Sequence, residues 1–229
     1  MERRSRHGAA RLMEQSFPLA QSLAAMAAIS MLPVIAVIAT SFTKISVVLL
    51  IVRNAIGIQQ TPPNLLVFAI AIVLSAFVMN PVLQNSWQLL LAHSGDFGTV
   101  SGMADGMIKV AAPLKDFMLK FSDAEVRDFF VQASQKIWAN APATPIASDD
   151  ITVLTPSFLV SELTRAFEIG FLIYLPFLMI DFAVSAILVA LGMQMMSPTV
   201  VSTPLKLLLF VSIDGWRRLL EGLVLSYAQ

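Results

Sequence analysis

From Phe17 to Leu83 the chain carries only two charges, Lys44 and Arg53. A run this long and this apolar cannot be covered by its own polar surface, so it constrains the fold more than any other feature. Its first part, Phe17 to Val52, holds Lys44 alone. As one helix it would extend about 54 Å at ~1.5 Å per residue, whereas a bilayer core takes ~20 residues. It is therefore expected to bend near Pro33 or to project from the apolar slab. Gly57-Ile58-Gln59-Gln60-Thr61-Pro62-Pro63-Asn64 then breaks the pattern. The two prolines remove two donors and push Thr61 out of helical geometry, and Asn64 is expected to cap the next helix. Leu65 to Leu83 is a second apolar stretch with Asn80-Pro81 near its end. The whole reads as a helical hairpin whose turn motif is Arg53, Asn54, Gly57, Gln59, Gln60, Pro62, Pro63 and Asn64.

The remaining charges divide the chain into four parts. Residues 1–16 form a basic extension with Arg3, Arg4, Arg6 and Arg11. Residues 17–83 are the first hairpin, residues 84–157 a polar helical insert and linker, and residues 158–229 a second hairpin. Only 13% of residues are charged, about half the usual share of a soluble domain. The expected class is all-α and integral to a membrane, with two long, kinked hairpins flanking a small helical insert. The net charge of zero leaves no electrostatic footprint for nucleic acid. The lack of cysteine excludes disulfides, thiolate metal sites and Cys nucleophiles.

Within the insert, Ser122-Asp123-Ala124-Glu125 fits a capping box, followed by Val126, Phe129, Phe130, Ala133 and Ile137 on one helical face. Pro113 suits the first turn of a short helix containing Phe117, Met118 and Phe121. Ala141 to Pro156, with Pro142, Pro145, Asp149 and Asp150, reads as a linker. In the second block, Ile169 to Met193 has one charge, Asp181. After the loop Gly192 to Pro198, Thr199 to Tyr227 reads as a last helix, whole or broken.

Catalytic chemistry is nearly absent from these residues. His7 and His93 are isolated, so no metal set forms with them, and no Ser–His pair lies in an apolar block. Asp181 and Asp214 are the one pair a membrane aspartyl protease could use. Gly98, Gly102 and Gly106 have the spacing of a close-packed helix pair, but in a polar context that reads as loop. No phosphate-binding glycine loop is present, and no cofactor is expected. Glu162, Arg165 and Glu168 lie on one side of a helix. With Asp181 and Lys206 they suggest a polar seam facing protein or water, because an unpaired charge at the bilayer centre costs at least ~2.5 kcal/mol. The bland alternative for the first three is a solvated helical turn. A secondary transporter coupling through Asp181 and Lys206 is a competing function. Met193, Met195 and Met196 crowd a short loop, where flexible thioethers suit irregular packing.

Three motifs resemble one known family. Phe42-Thr43-Lys44 with Arg53-Asn54-Ala55-Ile56-Gly57 and Gln59-Gln60-Thr61-Pro62-Pro63-Asn64 is the first. Pro156-Ser157-Phe158-Leu159-Val160-Ser161-Glu162-Leu163 with Phe167-Glu168-Ile169-Gly170 is the second. Pro198-Thr199-Val200-Val201-Ser202-Thr203-Pro204-Leu205-Lys206 is the third. Together they resemble the FliP/SctR family (YscR and HrcR types), core export-apparatus subunits of flagellar and virulence type III secretion systems. The likeness runs from about Phe17 onward and is weakest in the insert.

The resemblance implies an inner-membrane, multi-pass subunit, not an enzyme. It assembles as a homopentamer with S- and T-type subunits, beside a U-type switch subunit, into a channel for unfolded protein substrates. It implies that the loop Met193, Met195, Met196 is a gasket closing the pore. Gln194 interrupts the family's usual methionine run. It also implies a periplasmic insert and hairpins that sit above the bilayer in the finished complex. Arg53 and Lys206 in or near short loops agree with that orientation, and the four N-terminal arginines oppose it. Met13 is an alternative start, so residues 1–12 are expected to be an extension. The lack of a signal-like leader favours the virulence branch over the flagellar one.

Overall fold

The computed structural model describes residues 26–27, 30–31, 33–58, 62–93, 100–138 and 146–228. The basic extension, His7, Met13, Gln59, Gln60 and Gly98 lie outside them. The chain divides into two compact units, residues 1–37 and 38–229. In the first, the described residues are helical, Pro33 included. Ser30 Oγ donates to the carbonyl of Ala27 at 2.7 Å, and Met26, Met31, Val34, Ile35 and Val37 are exposed. Pro33, near which a bend or a projecting helix was expected, is itself helical; within the second unit the backbone at Ala39–Ser41 is not helical.

The described elements of the second unit are all helices, in agreement with the all-α reading: α1 (Phe42–Ile56), α2 (Asn64–Ala92), α3 (Val100–Phe121), α4 (Ala124–Ile137), α5 (Ile151–Ala190), α6 (Pro198–Ser212) and α7 (Gly215–Leu225). Helix α1 is the central element. Its residues Lys44, Ile45, Val48, Leu49, Val52 and Ala55 are all buried, and they pack with Val67 and Ala71 of α2, Ala166 and Phe177 of α5, Phe210 of α6 and Leu219 and Leu223 of α7. A second cluster gathers Ala39, Met79, Phe117, Met118, Phe121, Leu154, Phe158 and Tyr227 around the end of α3. Gly170 lets α5 approach α1 closely: a Cβ there would lie 2.5 Å from Cδ1 of Ile51.

Several boundaries differ from those read in the sequence. Helix α2 passes Pro81 and continues to Ala92. Helix α3 runs 22 residues through Pro113 rather than starting there. An interior proline removes one backbone bond, and the packing of Phe117, Met118 and Phe121 on the following turns offsets that loss. Helix α5 begins at Ile151, inside the stretch read as linker, because the Asp150 carboxylate accepts from the Thr152 amide at 3.2 Å. It then runs 40 residues past Pro156 and Pro176.

The α4 cap is Asp123, whose carboxylate accepts from the Glu125 amide at 2.9 Å. Ser122 Oγ turns back to the Leu119 carbonyl at 3.2 Å instead. The packed face of α4 keeps Val126, Phe130 and Ala133 of the expected set and adds Arg127, Val131 and Ser134, while Phe129 and Ile137 stand exposed. Asn64 is the first residue of α2 rather than its cap; Pro63 holds the cap position without a side-chain bond. Helices α6 and α7 are bent 62° apart, with Asp214 in the left-handed region at φ 56°.

Two helices, α2 and α5, are long and apolar enough to cross a membrane, and the bent pair α6–α7 could form a third span. Helix α1, at 15 residues, falls short of the ~20 a span needs. The apolar stretches of α2 and α5 are only 22% and 17% buried. Phe77, Phe167, Phe171, Leu172, Met179 and Phe182 among them are each more than half exposed.

Candidate functional site

Lys44 lies in the first turn of α1, and Glu162 on the inward face of α5. Both helices are central, so the two charges are brought together inside the fold. Lys44 is 1% and Glu162 0% exposed, with Lys44 Nζ donating to Glu162 Oε1 at 3.5 Å. Arg165, one turn along α5, donates to the same oxygen at 3.4 Å and to the Phe121 carbonyl at 2.7 Å. The Tyr227 hydroxyl donates to Glu162 Oε2. The Lys44 ammonium also stands over the Tyr227 ring, 3.6 Å from its centroid, where the ring's negative face attracts a cation. Burial first, and the Glu162 carboxylate second, push the Tyr227 phenol well above its ordinary pKa, so it stays a donor. One carboxylate thus serves three donors from three parts of the chain. The solvated-turn reading of Glu162 is overturned. Glu168 is exposed and Arg165 is half-buried.

The five charges read as one seam fall into two groups. Glu162 and Arg165 belong to the network just described, and Glu168 opens beside it onto a cleft of about 350 Å³ lined by Lys44, Lys120, Phe121, Arg165, Ile169 and Ser226. Asp181 and Lys206 form a separate pair joining α5 to α6, with Lys206 Nζ donating to Asp181 Oδ2 at 2.6 Å. Asp181 Oδ1 and Ser202 Oγ are buried there without a partner. Asp214, the other aspartate of the protease pairing, is exposed and meets Arg217 at 3.9 Å, so each aspartate is engaged with its own cation. Among the described residues no group of three metal-binding side chains occurs.

The turn motif is tied from both sides. Arg53 donates to Asn64 Oδ1 and to the Pro62 carbonyl at 3.4 Å. Asn54 is exposed, but its carbonyl accepts from the Gly57 amide at 3.1 Å. Gly57 closes α1 at φ 87°, a conformation that favours glycine. A Cβ on Gly57 would meet Thr203 Oγ1 of α6 at 3.2 Å, so the turn of the first hairpin abuts the start of the second hairpin's last arm.

The methionine loop is built by a glycine cap. Gly192, at φ 74°, donates to the Val189 carbonyl at 3.0 Å, and Met193 donates to the Leu188 carbonyl at 2.9 Å. This satisfies carbonyls that α5 would otherwise leave open. Pro198 then starts α6, its fixed φ already suited to a first helical turn. Met195 is fully exposed, and Met193 and Met196 are 40% and 41% exposed. A short apolar loop is thereby held between two helices and covered by neither.

Sequence reasoning singled out Lys44 as the one charge of its apolar block but gave it no partner, and named Tyr227 only as a helix end. The available signal was Lys44 itself, the single charge in a long apolar block, which requires a buried partner.

The model of the FliP family matches residues 25–223. "Yop proteins translocation protein R" of Yersinia pestis is 46% identical over 199 residues, covering 87% of this chain and 92% of that protein. "Probable translocation protein y4yL" of Sinorhizobium fredii is 45% identical over 205 residues, covering 90% and 92%. "Harpin secretion protein HrcR" of Erwinia amylovora is 42% identical over 202 residues, covering 88% and 93%.

Proposed function

This chain belongs to the FliP family, and from that premise we propose that it is an export-apparatus subunit of a type III secretion system. It passes unfolded protein substrates across a bacterial inner membrane as one member of a homopentamer, completed by S- and T-type subunits and served by a U-type switch subunit. The relatives are named for translocation and secretion of proteins, which is why protein is the cargo proposed here. It acts as a structural channel subunit rather than an enzyme.

One observation carries the assembly reading. The fold neutralises its central charges internally, yet leaves α2 and α5 with most of their apolar surface uncovered. Such surface needs either lipid or protein around it. The insert on α3 and α4 lies on the periplasmic side in this reading. Glu168 and the cleft beside Arg165 face a neighbouring copy. The loop of Met193, Met195 and Met196 reaches the channel axis as a gasket: unbranched thioethers conform to whatever segment passes. Gln194 is left out of that seal, because it departs from the family's methionine run.

A small-solute transporter is not supported: Asp181 and Lys206 neutralise each other at 2.6 Å within one chain, and the relatives above are named for translocation or secretion.

Two measurements test the proposal. Native mass spectrometry of the chain expressed with its S- and T-type partners should show five copies in one complex; monomer at every concentration would refute the assembly. Met195→Ala combined with Met196→Ala should raise small-ion leak through the reconstituted complex; unchanged conductance would remove the gasket from the reading.

A further inference from the structure

We propose that the methionine loop is a reversible oxidation site, and that sulfoxide formation at Met193, Met195 and Met196 opens the seal. The inference rests on the gasket role proposed above and adds a regulation to it. Three observations carry it. The loop concentrates three thioethers in four residues. All three are exposed, Met195 completely, whereas Met79 and Met118 are 3% and 4% exposed in the core. The loop backbone is pinned at its entrance by the Gly192 cap, so a change of side-chain chemistry alters the seal without melting the helices on either side.

The chemistry needs only a peroxide. A sulfur lone pair attacks one peroxide oxygen, the O–O bond breaks, an S–O bond forms, and water leaves. Sulfur is oxidised by two electrons and the peroxide is reduced by two. Hydrogen peroxide is close to water in size, so it reaches side chains lining a lumen. The product is polar and chiral where the thioether was apolar. A ring of such groups draws water where methionines exclude it. Methionine sulfoxide reductases reverse the step, a dithiol becoming a disulfide as the oxygen leaves in water.

The experiment uses the assembled complex in liposomes. Peptide mapping after brief peroxide treatment should find sulfoxide at Met195 on the order of tenfold above Met79 and Met118, following their exposure. Ion leak should rise severalfold and return to its starting value after treatment with both reductases. Met193→Leu, Met195→Leu and Met196→Leu together keep the loop apolar. Whatever its untreated leak, that triple variant should show no rise over its own baseline with peroxide, although Met107 and Met179, both exposed on helices, remain oxidisable in it. An equal rise in the triple variant, or no loop sulfoxide in the wild type, overturns the inference. So does a fully oxidised loop with unchanged leak, provided that the Met195→Ala, Met196→Ala complex leaks. If the alanine complex does not leak, the gasket reading itself has failed, and the oxidation inference falls with it.

Discussion

Replacing Glu162 by leucine removes one acceptor from three donors at once. Lys44 and Tyr227 are both buried, so neither recovers the lost bond from water. Breaking a buried ion pair from one side costs about 3–5 kcal/mol, because the remaining charge stays desolvated and unpaired. A neutral hydrogen bond between membrane helices is weaker, ~0.6 kcal/mol on average, and the size of the loss therefore distinguishes the two cases. Lys44→Met should cost less than Glu162→Leu, since Glu162 keeps Arg165 and the Tyr227 hydroxyl. The double replacement removes both charges, so its loss should fall below the sum of the two single losses, with a coupling of about 2 kcal/mol or more. The cation held over the Tyr227 ring is present in both the wild type and Glu162→Leu, so it does not soften the difference. Equilibrium unfolding in mixed detergent micelles, followed by circular dichroism for all four proteins, measures the cycle. A loss below about 1 kcal/mol for Glu162→Leu, in the range of the neutral bond, would refute a buried charge network. Strict additivity of the two single changes would refute their contact.

Three further outcomes follow from particular contacts. Gly170→Ala places a methyl 2.5 Å from Ile51 Cδ1 and should cost about 1–3 kcal/mol by overpacking; Ile51→Ala in the same chain should recover part of it, and unfolding of the pair checks this. Gly57→Ala should cost about 1–2 kcal/mol from its left-handed backbone, with added pressure from Thr203 at 3.2 Å; Thr203→Ser, which keeps the hydroxyl, should relieve little. The Lys115 ammonium, 2.8 Å from Asp149, holds that carboxyl below its ordinary pKa, by its hydrogen bond first and its charge second. A lowered carboxyl contributes stability above its unfolded pKa of about 4 and loses it as pH falls through the folded value. Lys115→Gln should therefore move the Asp149 titration midpoint upward by NMR, and an unmoved midpoint would show that the pair does not persist in solution.

The all-helical class was legible because long apolar runs admit few other solutions in a bilayer. Element ends were less legible, and the physical reasons differ from case to case. Pro81 and Pro113 look like stops, but tertiary packing of the flanking turns outweighs one missing backbone bond. The face of α4 was read only in part: Val126, Phe130 and Ala133 are half-buried on it, but Phe129 and Ile137 are exposed. The α5 start was hidden because prolines at 142, 145 and 156 read as one linker, while Asp150 supplies a helix cap between them.

The charges show where the limit of sequence reading lies. Spacing along one helix correctly grouped Glu162 with Arg165, since i and i+3 share a side whatever the fold. It could not tell that Glu168, three residues further, opens onto a cleft, because that depends on which helix covers each turn. The link from Lys44 to Glu162 spans 118 positions of chain, and no local period encodes it. A charge cost was nevertheless visible for Lys44, which lies in an apolar run with no opposite charge nearby. In a chain this poor in charge, counting unpaired ions in apolar context therefore narrows the partners of a buried site to very few candidates. Lys44 had three carboxylates available in the second block before Asp214, and the fold selected the one whose neighbours, Ser157, Phe158 and Ser161, are themselves buried. The same count explains why so much of the exposed surface of α2 and α5 is hydrocarbon: the central charges are neutralised inside one chain.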